Sequence, residues 1–410
     1  MKRLCSATLK SRHSCKIHHL SFILHHSKIL NLLHIIPTYK PAYIYGGTIT
    51  SISLLCENLV AKGGYKVTVL STTANGKDEL PVYKNAPKNV DGVDVYYFPR
   101  WTKDHSQLSP ALLWYLFRYA RRFDAVHIHS WWNLSVLLAT FVCLLRGVKP
   151  VLSPRGMLSS FTISGRFKPI FHRFVGKWLL KNTYLHTTSP QETQECLAMI
   201  PNWQHTDLPN FLDTPLLNLP KPTRLNRHSN RQTPTLELLF LSRLHQKKGV
   251  ELLLDALAQV TFDWSLTIAG GGETDYVEQL KKQSKNLGID LKINWLGWVN
   301  ATERTAAFEA ADLMVLPSHN ENFANVVIES LAAGTPVLVS KYVGLSKYVA
   351  DNNLGWVCDT TVDSLRETIT EANYQQTRRH QIAERCSAQI RGDFDPSVLV
   401  QRYLKMYREL

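Results

Sequence analysis

The chain has 410 residues, more than one ordinary core accommodates, so two domains are expected. Its content of 44% hydrophobic and 20% charged residues is that of a globular protein. The seven cysteines are scattered and form no Cys-x-x-Cys pair, which argues against a disulfide framework or a zinc site and favours a reducing compartment.

Segments that would carry the chain into or across a membrane are not predicted. The most apolar stretch, residues 134–145, is shorter than the roughly 20 residues that a membrane span needs. Basic residues interrupt the N-terminal stretch, so no signal peptide is predicted. We therefore expect a cytoplasmic protein.

The net charge of +14 lies in the first half of the chain. Residues 1–200 carry 25 Lys and Arg against 9 Asp and Glu, whereas residues 201–410 carry 22 against 24. A basic half indicates an anionic partner, and the candidates are a membrane surface, an anionic lipid-linked acceptor and nucleic acid. No RNA-recognition signature occurs, so nucleic acid is not expected. Residues 1–27 are a basic extension that we expect to be disordered and outside the fold.

The fold is predicted to begin with a Rossmann-like unit. Residues 29–36 predict a buried strand, and a loop ending in Gly46-Gly47 leads into a helix over about 48–61. The next strand is predicted at 66–71. Strand, glycine-rich loop, helix and strand form the opening of a dinucleotide-type fold, although two glycines alone could equally serve a tight turn.

Two further residues are predicted at the same edge of this sheet. DAVHIH (124–129) predicts a short strand that ends at His129, and ligands bind at the carboxyl ends of strands in open α/β sheets. A histidine there is more often structural, and His127 is expected on the opposite face, in the core. After the next strand, SPRGML places Arg155 in a loop, where it could bind an acceptor phosphate or be an exposed charge.

Residues 164–181 combine five Lys or Arg with apolar residues spaced by 3, 4 and 7 positions, which predicts an amphipathic helix. Such a helix can lie on a membrane, with Arg173 and Lys177 near anionic lipid and Trp178 in apolar contact. A core-facing helix with a solvated basic face would show the same pattern.

A second domain is predicted after a linker over 211–235, which is rich in Pro, Asn and Arg. It begins with a strand at 236–241, the turn SRLHQKKGV, and a helix. Arg243 and Lys248 flank this turn, and two cations beside a helix N-terminus suit a diphosphate. A generic basic loop would carry the same residues.

Two carboxylates lie on a strand–loop–helix–strand unit near the end of this domain. The predicted strand 313–316 is followed by a polar loop, a helix over about 324–333, a Gly-Thr-Pro stop and another strand. Glu321 is on the loop and Glu329 on the helix, with seven residues between them. They would suit a ligand that offers a phosphate to the helix N-terminus and hydroxyls to the acids, as a nucleotide sugar does. On spacing alone, a simpler interpretation is that Glu321 is a partner of the helix dipole and Glu329 is a residue on a solvated helix face.

The longer stretch of sequence around these two residues, ADLMVLPS…ENFANVVIESLAAGTPV, resembles the signature of family-4 retaining glycosyltransferases of the GT-B fold. SPRGML resembles a subgroup that builds bacterial surface polysaccharides, and LPNFLD resembles the hinge between the domains. The resemblance implies an α/β fold with two Rossmann-like domains facing across a cleft. The acceptor-side domain would be 28–210 and the donor domain 236–392, with a helix at about 395–410 packing back on the first. The family usually has Gly where this chain has Ala324, and Gly lets backbone approach the donor closely.

The resemblance also implies roles for the residues above. Glu321 would orient the donor sugar and Glu329 would hold the ribose hydroxyls. Arg243 and Lys248 would neutralise the departing nucleoside diphosphate, and His129 would lie near the sugar and the acceptor hydroxyl. The expected acceptor contacts are Gly46 and Arg155; further donor contacts are Gly47, Gly297, Phe323, Ala324 and Asn325.

The function expected from the resemblance is transfer of a sugar, with retention, from a UDP- or GDP-sugar to a hydroxyl of a glycan or lipid-linked acceptor, with UDP favoured. The setting would be cell-surface polysaccharide biosynthesis at the inner face of the cell membrane. Metal-independent chemistry is expected, because Asp393-Phe394-Asp395 precedes a helix and is better explained as a cap. The alternatives are a sugar epimerase or phosphorylase on the same fold, or a non-catalytic basic protein that binds membrane surfaces.

Overall fold

The structure, a computed structural model, describes residues 29–82, 86–159, 162, 167–212 and 235–410. These residues form two α/β domains, each built on a largely parallel sheet with helices packed against it. The predicted α/β fold with two Rossmann-like domains is therefore confirmed. The predicted extension over 1–27, and all but the ends of the predicted linker, lie outside the described residues.

The first domain has an eight-stranded sheet with the order β10-β9-β8-β7-β1-β2-β6-β5. Its strands run parallel except for β5, which pairs antiparallel with β6 at one edge. A separate hairpin of β3 and β4 lies beside it. The strands are β1 (Asn31–Ile35), β2 (Lys66–Thr72), β3 (Ala74–Asn75), β4 (Asp78–Glu79), β5 (Pro87–Val90), β6 (Val93–Phe98), β7 (Ala125–His129), β8 (Val151–Ser153), β9 (Tyr184–Thr187) and β10 (His205–Asp207).

The helices of the first domain begin at polar caps. Ser109, Asn133 and Ser189 each accept a hydrogen bond from the backbone N–H three residues on, which satisfies a donor that a helix start leaves free. A π-helical turn, His172–Gly176, joins α4 to α5. The helices are α1 (Gly47–Ala61), α2 (Pro110–Tyr119), α3 (Leu134–Leu145), α4 (Phe167–Phe171), α5 (Lys177–Lys181) and α6 (Pro190–Met199).

The second domain has a six-stranded parallel sheet with the order β13-β12-β11-β14-β15-β16. Its strands are β11 (Leu236–Leu241), β12 (Trp264–Ala269), β13 (Ile293–Gly297), β14 (Leu313–Leu316), β15 (Val337–Ser340) and β16 (Gly355–Cys358). Its helices are α7 (Val250–Leu257), α8 (Thr274–Asn286), α9 (Ala301–Ala310), α10 (Asn325–Ala332), α11 (Ser346–Asp351), α12 (Val362–Tyr374) and α13 (Gln376–Asp393).

The last helix, α14 (Pro396–Arg408), packs on the first domain. Its Tyr407 hydroxyl lies 2.8 Å from Nδ1 of His127, and its Tyr403 hydroxyl lies 3.2 Å from Nε2 of His186. Asp395 caps this helix by accepting hydrogen bonds from the backbone N–H groups of the second and third residues after it. The predicted interpretation of the Asp-x-Asp as a cap is thus confirmed.

Candidate active site

Lys248 and Glu321 meet where two loops of the second domain end against each other. The Lys248 ammonium donates a hydrogen bond to the Glu321 carboxylate, and both side chains are about five-sixths buried. The backbone of Glu321 is fixed by bonds from its N–H to the Tyr342 carbonyl, 3.0 Å, and from the Gly344 N–H to its own carbonyl, 2.9 Å. Lys248 and Glu321, two of the predicted site residues, are therefore in contact, and backbone hydrogen bonds hold the loop that carries Glu321.

The turn that carries Lys248 depends on a glycine. Gly249 has φ +68°, and a Cβ on it would lie 2.5 Å from the Pro317 carbonyl oxygen, so only glycine allows the two loops this approach. Burial lowers the pKa of Lys247, the charge of Glu321 raises it, and the charges of Lys248 and Arg243 lower it. Lys247, Lys248 and Arg243 thus form a group of three cations, and such a field suits a polyanion.

Ala324, the residue before α10, adopts the left-handed conformation with φ 68° and ψ 75°. This conformation strains a residue with a Cβ, so the structure gives a backbone reason for the glycine that the resemblance leads one to expect. No side chain caps α10. The positive end of the helix dipole therefore follows the Glu321 loop in the chain without a capping side chain at Ala324.

Glu329 is buried in α10 and forms an ion pair with Arg304 of α9, with 3.3 Å between Nη1 and Oε2. The alternative of a solvated face residue is therefore wrong. The arginine beside the carboxylate fixes its direction.

The start of α10 also contacts the first domain. Ser189 Oγ donates to the Asn322 carbonyl, 2.8 Å, and Asn322 Nδ2 donates to Thr188 Oγ1, 2.7 Å. Asn210 Nδ2 donates to Asn325 Oδ1, 2.8 Å. The loop before α10 and the first residue of this helix are therefore joined to the first domain by three hydrogen bonds.

His129 is fully buried and belongs to a cluster of histidines on β1, β7 and β9. Its Nε2 lies 3.0 Å from Nδ1 of His34, on the neighbouring strand. The expectation that His127 lies on the opposite face is wrong: the rings of His127 and His129 are 4.1 Å apart. Residues two apart on a strand share a face, so both point towards α14.

The hydrogen bonds of this cluster indicate which ring nitrogen of His186 and of His127 carries the proton. The Leu208 carbonyl can only accept, so His186 donates to it through Nε2, 3.1 Å, and accepts through Nδ1 from His127, 3.2 Å. Tyr407 then donates to Nδ1 of His127. Burial, reinforced by the Arg155 charge, lowers the pKa of His34 and His186 to about 3. The pKa values of the other two members fall well below the ordinary range for the same reason, so all four rings are neutral at pH 7.

Ligand atoms of His34, His127 and His129 lie within 4.8 Å of one another, close enough to consider a metal ion. Both ring nitrogens of His127 already have partners, however, and the Arg155 cation acts on the same cluster. The geometry therefore favours a neutral hydrogen-bonded network over a metal site.

Arg155 extends from the loop after β8 into this polar region. It has φ 57°, and its Nη1 donates to Asn210 Oδ1. Its Nε and Nη2 are enclosed and have no hydrogen-bond partner among the described residues. The alternative of an exposed loop charge is therefore wrong, because the guanidinium is inside the molecule.

Three glycines at expected ligand positions have free space around them. A Cβ on Gly46, Gly47 or Gly297 would meet no atom within 4 Å. Gly46 precedes α1 and Gly47 is its first residue, after the loop that follows β1, and Gly297 ends β13. These positions leave room for a bound molecule.

Comparison with known proteins identifies the family. Residues 223–388 match the glycosyl transferases group 1 and residues 46–210 match the glycosyl transferase 4-like domain, so most of both domains is accounted for. The chain belongs to this family of glycosyltransferases. An uncharacterized glycosyltransferase of Methanocaldococcus jannaschii is 28% identical over 79% of this chain and 84% of its own length.

Two further likenesses bear on this glycosyltransferase. The lipopolysaccharide core biosynthesis glycosyltransferase LpsE of Rhizobium meliloti is 26% identical over 41% of this chain and 48% of its own length. The structure of Anabaena HepE in complex with UDP-glucose superposes with a TM-score of 0.71 at 20% identity, covering 93% of this chain and 100% of that one. The predicted GT-B fold is thereby confirmed.

In this glycosyltransferase the structure brings Lys248 and Glu321 into contact and links Arg155 through Asn210 to Asn325, and it shows contacts that the sequence did not reveal. Phe323 is buried in the α10 loop, and Arg243 is exposed at the rim of the cation group. Arg304, Ser189 and Asn210 were missed. Their partners are 25 to 133 residues away in the chain, so spacing could not reveal them, although Asn210 lies within the hinge-like LPNFLD.

The amphipathic segment of the glycosyltransferase has an exposed apolar face. Ile170, Phe174 and Trp178 are 59%, 74% and 52% exposed, and Arg173 and Lys177 are exposed beside them. The alternative of a helix whose apolar stripe faces the core is therefore wrong for these residues. No helix in the described part of the chain is long and apolar enough to cross a membrane.

Proposed function

We propose that this glycosyltransferase moves a sugar from a nucleotide-sugar donor to a hydroxyl of a glycan or lipid-linked acceptor, with retention of configuration, in cell-surface polysaccharide biosynthesis. The observation that carries the proposal is the contact of Lys248 with Glu321 beside the uncapped start of α10. The complex of HepE with UDP-glucose supports a UDP-sugar donor, and LpsE supports a surface-glycan acceptor.

The chemistry assigned to the second domain is electrostatic. As the bond between sugar and diphosphate breaks, negative charge grows on the leaving group, and Arg243, Lys248 and the N–H groups of α10 stabilise it. These groups are fixed before the reaction, so little reorganisation is needed. Glu321 holds the ammonium of Lys248 and orients the sugar. The acceptor hydroxyl oxygen then bonds to the anomeric carbon on the face that the diphosphate leaves, and its proton passes to the departing phosphate oxygen.

Glu329 is assigned to the ribose. One of its oxygens pairs with Arg304, and the carboxylate can accept from two hydroxyl groups at once. Neutral His129 is assigned to the sugar or the acceptor hydroxyl. Since cations of the chain occupy the place where a metal would balance the diphosphate, we propose that no metal is required.

We also propose that the protein is cytoplasmic and binds the inner face of the cell membrane through the exposed face of residues 167–181. Exposed aromatic side chains next to basic ones suit the interface of an anionic leaflet. Binding there would bring the cleft close to a lipid-linked acceptor.

A donor screen tests the proposal. UDP- and GDP-sugars are incubated with and without lipid-linked acceptors, and nucleoside diphosphate release is measured with EDTA or with added divalent cations. We expect acceptor-dependent release that EDTA does not abolish, and a product with the anomeric configuration of the donor by NMR. Conversion of the donor without release would instead indicate an epimerase, and activity restored only by a divalent cation would contradict metal independence.

A comparison of Lys248→Ala with the control Lys341→Ala tests whether the activity depends on Lys248. Lys341 is an exposed cation of the same domain that pairs with Asp359. Loss of turnover in the first variant alone supports the assignment, whereas equal turnover in both refutes it.

A further inference from the structure

Arg155 is a buried cation without an ion-pair partner in the described part of the chain. Its side-chain bond to protein runs from Nη1 to Asn210 Oδ1, which is a neutral amide. Glu192 acts on Arg155 through its charge, but its oxygens are occupied. Oε1 accepts from the Gly156 N–H at 2.7 Å, and Oε2 accepts from the backbone and side chain of Thr188 at 2.9 and 3.1 Å.

The two guanidinium nitrogens that lack partners form one edge. Nε and Nη2 point the same way, and this edge can donate two parallel hydrogen bonds to a carboxylate or a phosphate. Buried charges in proteins are normally paired, so an empty edge of this kind indicates a ligand.

The surroundings of Arg155 select for an anion. Ser153 Oγ and His129 Nδ1 are also buried without partners, and both belong to the strand ends beside the Arg155 loop. The four clustered histidines are neutral, so they add no positive charge that would compete with Arg155 for the anion. No acidic residue occurs between Asp124 and Glu192 in the sequence. Arg155 has φ 57°, which strains a residue with a Cβ, and proteins keep such strain where it serves a site.

The position of Arg155 distinguishes acceptor from donor. The cations placed for the donor diphosphate are in the second domain, whereas Arg155 belongs to the first. Asn210 links Arg155 to Asn325 at the start of α10, and Asn322 lies directly over Gly156, where a Cβ would come within 2.9 Å of it. A group held by Arg155 would therefore lie across the cleft from the donor, and separation of the domains would admit it.

We propose that the Nε–Nη2 edge of Arg155 binds the carboxylate or phosphate of an acidic acceptor. The acceptor of this glycosyltransferase is then an anionic glycan, or a lipid-linked sugar that presents its phosphate to this edge. The inference rests on the proposed function, because it specifies the acceptor of the same site.

The test uses three small probes that differ only in charge and chemistry: glucose, glucuronate and glucose 6-phosphate. Each is titrated by calorimetry into the full chain saturated with UDP. We expect one or both anionic probes to bind at least tenfold more tightly than glucose. The two anionic probes distinguish a carboxylate from a phosphate. Equal binding of all three, or none by the anionic probes, overturns the proposal, because the edge would then hold only water.

Arg155→Gln and Arg155→Lys are compared with Lys149→Gln, which removes an exposed cation of the same domain. Arg155→Gln should abolish the preference for anionic probes, Arg155→Lys should retain part of it, and Lys149→Gln should change nothing. UDP affinity should stay within twofold throughout, and the melting temperature of Arg155→Gln should equal or exceed that of the wild type. A variant that loses UDP binding, or melts several degrees lower with the preference intact, would assign Arg155 to the donor or to the fold instead. Failure of the wild type to bind any nucleotide would refute the proposed function itself, independently of these probes.

Discussion

Acidification from pH 7.5 to pH 5.5 should destabilise the first domain through its four buried histidines. His34, His127, His129 and His186 are neutral in the fold, with pKa values held far below the ordinary value by burial. In the unfolded chain these histidines have the ordinary pKa of about 6.5, so they bind protons that they do not bind in the folded chain. The free energy of unfolding is therefore not reduced by these histidines above about pH 6.5. It falls as the pH drops from there towards the folded pKa of about 3 for His34 and His186.

The magnitude follows from linkage. One unit below the unfolded pKa, each neutral histidine costs about 1.4 kcal/mol of the free energy of unfolding, so four cost about 5 to 6 kcal/mol at pH 5.5. Domains of this kind are stable by about 5–15 kcal/mol, so this loss should be large enough to measure easily and could unfold the domain.

Urea unfolding followed by tryptophan fluorescence at pH 7.5, 6.5 and 5.5 measures the effect. His186→Gln, in which an amide can still donate and accept, should reduce the loss between pH 7.5 and 5.5 by about a quarter, roughly 1.4 kcal/mol. The exposed His380→Gln should leave the loss unchanged. A wild type whose stability is flat over this range, or a His186→Gln variant with the full loss, would show that the cluster is charged or metal-bound in the fold.

Four other changes have defined outcomes. Glu329→Ala should weaken nucleotide binding in calorimetry by about 1.5–3 kcal/mol, roughly 10- to 150-fold, because the ribose loses a charged acceptor; unchanged affinity would contradict the ribose role. Lys248→Ala should lower the turnover number by orders of magnitude at an unchanged melting temperature, because its charge matters most as the diphosphate leaves. Ala324→Gly should stabilise the protein by about 1 kcal/mol by relieving a left-handed alanine, and a lower melting temperature would refute that strain. Arg173→Glu with Lys177→Glu should release the protein from anionic vesicles in co-sedimentation at low salt, since each cation contributes about 1 kcal/mol there, while UDP binding stays intact.

The fold and the strand–loop–helix unit that carries Glu321 and Glu329 could be predicted because their signals are local. Buried strands, Gly and Pro stops and the pair Glu321 and Glu329 all lie in short stretches, and a parallel sheet brings the ends of such strands to one edge. The error on His127 was one of strand geometry: residues two apart lie on the same face, so a second histidine two positions before His129 joins it.

The contacts between distant segments could not be predicted from the sequence. Asn210 and Asn325 are 115 residues apart, and nothing in the spacing of either one indicates the other. Arg304 follows a capping box at the start of α9, which predicts a helix start but not that the next side chain reaches Glu329. The left-handed conformation of Ala324 was also beyond prediction, because alanine is an ordinary helix former and gives no sign of positive φ.

Several places where local rules fail lie along one seam, the contact between the start of α10 and the first domain. On one side, Ala324 is left-handed and Gly344 allows no Cβ, which would lie 1.9 Å from the Asn322 carbonyl. On the other side, Arg155 is left-handed and holds an unpaired charge. Features of this cost persist only where surrounding contacts impose them, and here Asn210 bonds to both Arg155 and Asn325. Asn210 therefore joins the loop that carries Arg155 to the start of α10 across this seam.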